Sequence, residues 1–289
     1  MVVDSASVRV GPLLVTRLDA MSRRPSLPHP AATVLAVVLS AGLLAACSGG
    51  APEPSPSTSA ATVSPTLTPT PTPTEEAPPT SPTTPAFDKA ARSVDDPASL
   101  WVVSDKLRAL DPVDYVPGDL VTPDVAHQNP PTLRAEAAAA VVEMFRAGEA
   151  EGAGAFQVQS AYRSYDTQVS VYAGWVQRLG QAQADAQSAR PGFSEHQTGL
   201  ALDISPVPLS CALQACFGDT PQGTWLAANA WRFGFLLRYP ADKVAVTGFT
   251  FEPWHFRYVG VPLATEMHDT GVTTLEEFFG LPAAPDYAG

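Results

Sequence analysis

Two stretches of the chain bring together residue types that hold a metal ion. The first is Ser194-Glu195-His196-Gln197-Thr198-Gly199-Leu200-Ala201-Leu202-Asp203, the second Glu252-Pro253-Trp254-His255-Phe256-Arg257-Tyr258. The imidazoles of His196 and His255 and the carboxylate of Asp203 are ligands that zinc accepts, and three protein ligands leave a fourth position for water. A zinc ion lowers the pKa of such a water to about 7, so hydroxide is available at neutral pH. Glu252, just ahead of His255, is a natural acceptor for the water's proton. A single histidine on a strand is more often structural. The combination with Asp203 and Glu252 points to a zinc hydrolase. His29 falls in the leader, and His127 and His268 lie in polar, loop-like surroundings and receive no role.

The elements that must position these residues are legible from periodicity. Pro130-Pro131-Thr132 followed by an Ala-rich run to Ala147 predicts a helix with Thr132 as N-cap, an apolar stripe of Leu133, Ala137, Val141, Met144 and Phe145, and an end at Gly148, Gly152 and Gly154. Phe156, Val158 and Ser160 alternate with polar residues, as in a half-buried strand. A second helix is predicted over 165–179, with Val169, Tyr172, Val176 and Leu179 inward and Gly180 closing it. Leu200, Leu202 and Ile204 form one face of a strand that carries Asp203 on the other. A third helix is expected over 224–233, then strands over 235–239 and 254–259, the latter placing His255 and Arg257 on one face. Residues three apart on a regular strand point to opposite faces, so Glu252 and His255 can serve one metal only if the chain bends at Pro253-Trp254. Thr273-Thr274-Leu275-Glu276 reads as a capping box opening a last short helix. Helices and strands are interspersed without regular strand–helix–strand repeats, and the class is α+β.

Serine chemistry is the main rival. Ser-x-x-Lys is absent, because the residues three before Lys89, Lys106 and Lys243 are Ala86, Val103 and Pro240. Gly192-Phe193-Ser194-Glu195-His196 misses the nucleophile elbow at its last position, and His-Glu-x-x-His does not occur.

The two metal-bearing stretches resemble the zinc motifs of VanY-type D-alanyl-D-alanine carboxypeptidases. The likeness extends to Leu100-Trp101-Val102-Val103, Leu110-Asp111-Pro112-Val113-Asp114-Tyr115-Val116-Pro117, Ser160-Ala161-Tyr162-Arg163-Ser164-Tyr165 and Phe233-Gly234-Phe235-Leu236-Leu237-Arg238-Tyr239-Pro240. The resemblance implies a single hedgehog/DD-peptidase-like domain with a mixed helix and antiparallel-sheet core. It also implies His196, Asp203 and His255 as zinc ligands, Glu252 as catalytic base, Arg163 facing the scissile carbonyl, and Ser194 and Gln168 in contact with the substrate's terminal residue. The expected reaction is removal of the last D-alanine from a peptidoglycan stem peptide. An L,D-carboxypeptidase acting on tetrapeptide stems and a non-catalytic zinc-containing wall-peptide binding module are the alternatives. One departure is Asp105-Lys106, where family members often carry Asn-Lys; it is remote from the ligands in sequence.

The ends and the composition set the context. Residues 1–46 read as a signal peptide, with Arg23-Arg24 ahead of an apolar run and Met21 as a possible true start. Leu44-Ala45-Ala46-Cys47 resembles a lipobox, which makes Cys47 the lipidated residue and places the protein outside the cytoplasm, anchored to the bacterial cell membrane. Residues 47–87, rich in Pro, Thr and Ser, read as an extended, disordered linker reaching on the order of 100 Å at ~3.1 Å per residue. The remainder, 88–289, is long enough for one core. A net charge of −12 without a basic stripe excludes nucleic acid as a partner. The partners are then the stem peptide and the membrane, and the protein is expected to be a monomer. Cys211 and Cys216, in an extracytoplasmic setting, are expected to pair as a disulfide.

Overall fold

A four-stranded antiparallel sheet is the platform of the domain, its strands ordered β3-β4-β6-β5. The computed structural model describes residues 86–288, so the signal peptide, Cys47 and nearly all of the linker lie outside the described residues. The strands in chain order are β1 (Leu120–Val121), β2 (Leu133–Arg134), β3 (Ala155–Ser160), β4 (Ala201–Val207), β5 (Phe235–Leu237) and β6 (His255–Tyr258). The helices are α1 (Ala135–Ala150), α2 (Tyr165–Leu179), α3 (Gln181–Asp185), α4 (Pro221–Asn229), α5 (Val244–Thr247), α6 (Val261–Thr270) and α7 (Leu275–Phe279). Among the described residues, no helix is long and apolar enough to cross a membrane. The α+β class is as expected.

Alternation along the strands sorts the sheet into two faces. Leu202, Ile204, Phe256 and Tyr258 join the apolar core, while Asp203, His255 and Arg257 turn the other way. Helix α1 covers the core face with Ala137, Val141, Met144 and Phe145, and Phe145 stacks on Phe156 at 5.2 Å. Gly148 does not end this helix, contrary to expectation. It lies inside it, where a Cβ would come within 2.5 Å of the Phe156 ring, so glycine lets α1 approach β3.

Four further expectations are corrected. Thr132 does not cap α1: Leu133 and Arg134 form β2 against β1, and Arg134 stands at the N-cap without a side-chain bond. The predicted stripe of α2 is not buried. Val169 is exposed, and Gln168 is the buried residue of the helix, because α2 walls a cleft instead of packing on the sheet. Thr273 and Glu276 do not form the capping box. The cap of α7 is Thr274, whose hydroxyl accepts from Glu277 N, while Glu276 is buried for another purpose. The third helix also starts earlier than predicted, at Pro221 behind a Thr220 cap, and passes into a 3-10 turn at Ala230–Phe233.

Cys211 and Cys216 are bonded. A loop this short is worth roughly 2 kcal/mol by chain entropy. Cys211 and Leu213 both have positive φ (50° and 52°), a region that disfavours side chains by about 1–3 kcal/mol per residue. The two effects offset one another, so the bridge fixes local geometry more than it stabilises the fold.

Candidate metal centre and catalytic cleft

Register alone places two of the candidate ligands side by side. Asp203 on β4 pairs directly with His255 on β6, on the face away from the core. His196 arrives from a 3-10 turn (Glu195–Thr198) that ends at Gly199 and feeds β4. Gly199 has φ 67°, and a Cβ there would meet Leu120 at 2.9 Å, so only glycine makes this turn comfortably. One ligand atom from each of His196, Asp203 and His255 lies within 4.8 Å of the others, and all three side chains are buried.

The imidazoles are oriented from behind. A β-bulge between Val158 and Ser160 redirects the end of β3, and the Ala161 carbonyl there accepts from His196 Nδ1 at 2.8 Å. A carbonyl can only accept, so Nδ1 carries the proton and Nε2, 3.4 Å from Asp203 Oδ2, is left free. The Arg163 amide returns a bond to the His196 carbonyl at 3.2 Å. His255 is turned the other way round. Its Nε2 faces Glu195 Oε2 at 3.4 Å, and its Nδ1 faces Asp203 Oδ1 at 3.3 Å. Asp203 Oδ1 is buried and has no hydrogen-bond partner among the described residues, which a cation would supply. Two imidazole nitrogens and a carboxylate gathered there fit a divalent metal.

Glu252 enters as the sequence requires. The His255 amide bonds back to the Glu252 carbonyl at 3.1 Å, forming a turn over Pro253-Trp254 before β6 begins. That turn brings Glu252 Oε2 to 3.7 Å from His255 Nδ1. Burial pushes the Glu252 carboxyl up to about 8, with the Asp203 charge adding to the effect. Burial opposes charge on His255, yet the Asp203 and Glu195 carboxylates beside it raise it to about 9. The flanking imidazoles, working against burial, hold Asp203 far below the usual carboxylate range.

These groups open onto a cleft of about 650 Å³. Arg163 lines it without a carboxylate in ion-pair range among the described residues, so a purely structural ion pair does not explain it. Burial lowers its pKa, and Asp203 and Glu252 counter that. Ser194 and Gln168 line the same cleft. Gln168 Nε2 is tied to Ser188 Oγ and the Ala189 carbonyl, and its Oε1 is buried and unpartnered.

The sequence reading missed a buried ionic chain behind the site. Glu195 is fully buried, with Oε1 accepting from Arg238 Nε at 2.9 Å and Arg257 at 3.1 Å. Arg238 in turn grips Glu276 of α7 through two bonds of 2.9 and 2.6 Å. Arg257 also donates to the Leu100 and Val102 carbonyls. The available signal was Arg257 on the same face as His255, since a cation there demands a buried carboxylate. Asp105, remote in sequence, is near this chain in space. Its carboxyl is raised by burial, with Glu276 adding to the effect.

The fold and this site define a metal-dependent hydrolase, with three ligands and a carboxylate on one face of an antiparallel sheet. The family model for VanY, D-alanyl-D-alanine carboxypeptidase, matches residues 130–261. The chain is 41% identical over 192 residues to the putative carboxypeptidase YodJ of Bacillus subtilis (strain 168), covering 65% of this chain and 69% of that protein. It superposes on the LdcB LD-carboxypeptidase with a TM-score of 0.59 at 40% identity, covering 64% of this chain and 87% of that one. A mutant of the vancomycin-resistance D,D-pentapeptidase VanY in complex with Zn(II) matches with a TM-score of 0.53 at 30% identity, over 62% and 98% of the two chains. The chain belongs to the VanY D-alanyl-D-alanine carboxypeptidase family.

Proposed function

We propose that this protein is a zinc-dependent D,D-carboxypeptidase that releases the C-terminal D-alanine of peptidoglycan stem peptides. The observation that carries the reading is the convergence of His196, Asp203, His255 and Glu252 on one cleft, with Asp203 Oδ1 buried and unpartnered. His196, Asp203 and His255 would hold the zinc, which supplies a Lewis acid for the peptide carbonyl and acidifies water. Glu252 takes a proton from the attacking water and passes it to the departing amine. The water oxygen bonds to the carbonyl carbon, the C–N bond breaks, and free D-alanine leaves with its amine protonated. Arg163 faces the carbonyl oxygen as negative charge develops there, and an always-charged guanidinium without an ion-pair partner among the described residues suits that task. Gln168 Oε1 and Ser194 orient the terminal residue.

The Cys47 lipid anchor and the Pro-rich tether hold the enzyme at the membrane surface within reach of its wall substrate. The 40% identity to an LD-carboxypeptidase favours a second reading, L,D cleavage of tetrapeptide stems, which uses the same site. Defined tetra- and pentapeptides separate the two: D,D activity releases D-alanine from the pentapeptide and leaves the tetrapeptide intact. Binding of either peptide without release would support a non-catalytic module.

A further inference from the structure

The Cys211–Cys216 loop is not accounted for by fold or metal centre, yet it reaches the cleft. Leu213, between the two cysteines, is among the residues lining it. The side chain is 45% exposed and stands outside the hydrophobic core, so it does not hold the fold together. Cys211 and Leu213 nonetheless keep a left-handed backbone that a connecting loop would normally assign to glycine. The loop's base is rigid. Phe217 is fully buried, and Gly218 packs so closely on Phe251 and Pro253, the residues flanking Glu252, that a Cβ there would meet them at 3.2–3.4 Å. Amide bonds from Gln214 to the Cys211 carbonyl (3.2 Å) and from Phe217 to the Gln214 carbonyl (2.9 Å) complete it.

We infer that Leu213 is a substrate-contacting specificity residue, held at the rim of the cleft by the disulfide. Depth decides which part of the substrate it meets. The metal-site side chains are at most 9% exposed, whereas Leu213 is nearly half open, so it touches the peptide away from the cleaved bond. An apolar side chain there receives the aliphatic portion of a residue upstream of the terminal pair. The inference rests on the carboxypeptidase reading of the same cleft.

The test uses the metal-loaded protein with two substrates, a stem pentapeptide and the N-acylated dipeptide acetyl-D-Ala-D-Ala. Leu213→Ser should raise KM for the pentapeptide about tenfold, the scale set by losing apolar contact in a pocket, with kcat unchanged. Leu213→Met should restore the parent KM. The dipeptide, too short to reach the rim, should be insensitive to either change. Cys211→Ser with Cys216→Ser, or reduction by a dithiol, should reproduce the KM effect. An unchanged pentapeptide KM in Leu213→Ser, or an equal loss with the dipeptide, overturns the inference and leaves the carboxypeptidase reading intact. Failure of the parent protein to release D-alanine from either pentapeptide or tetrapeptide stems overturns both.

Discussion

Glu195 shows how much of this site is built behind the ligands. It accepts two arginines on one oxygen and meets His255 Nε2 with the other, so the same carboxylate neutralises buried cations and fixes which imidazole nitrogen faces the metal. Replacing it by glutamine keeps the shape and removes the charge; metal affinity should fall about 10- to 100-fold, read by competition with a chromogenic chelator. Glu252→Gln should act differently. Metal content should stay at the parent level while kcat drops about 100- to 10,000-fold, the span for losing a general acid-base group. The ligands themselves were legible in the sequence because imidazole, imidazole and carboxylate announce metal chemistry by type. Glu195 was not, although it adjoins His196, because its role depends on Arg238 and Arg257, far along the chain. Only tertiary contact reveals them.

Among the elements, α7 is short, yet it reaches the metal site through Glu276, Arg238 and Glu195. Removing one member of a buried ion pair leaves a charge without a partner and costs about 3–5 kcal/mol. Glu276→Ala should therefore destabilise the domain by about that amount in urea titration, a large share of a typical domain's total. Had Glu276 been a surface cap residue, as the sequence suggested, the loss would be about 1 kcal/mol. The sheet strands were read well because alternation reports two faces directly. Helices α1 and α2 were read less well. The Thr132 cap yielded to β1–β2 pairing, and the apolar positions of α2 are at most half-buried because the helix walls a cleft. Both are tertiary choices that local propensity does not encode.

At the scale of the molecule, a VanY-family domain follows a long stretch whose residue pattern reads as a leader and a polar tract. If the Cys47 reading holds, the precursor fractionates with membranes and Cys47→Ser moves it to the soluble extracytoplasmic fraction. Recovery of the parent protein in the soluble fraction would remove the anchor from the account while leaving the enzyme intact. The chemistry of the leader was read from residue pattern alone. The catalytic domain was legible more deeply, because register pairs Asp203 with His255 and a glycine turn delivers His196 beside them.

The most direct measurement is D-alanine release from a defined stem pentapeptide by the purified domain, with and without a chelator and with zinc restored. The account predicts stoichiometric release by the zinc-loaded protein, loss on chelation, recovery on adding zinc, and release slowed about 100- to 10,000-fold in Glu252→Gln at matched metal content. Release that persists after complete metal removal, or that survives intact in Glu252→Gln, would contradict it.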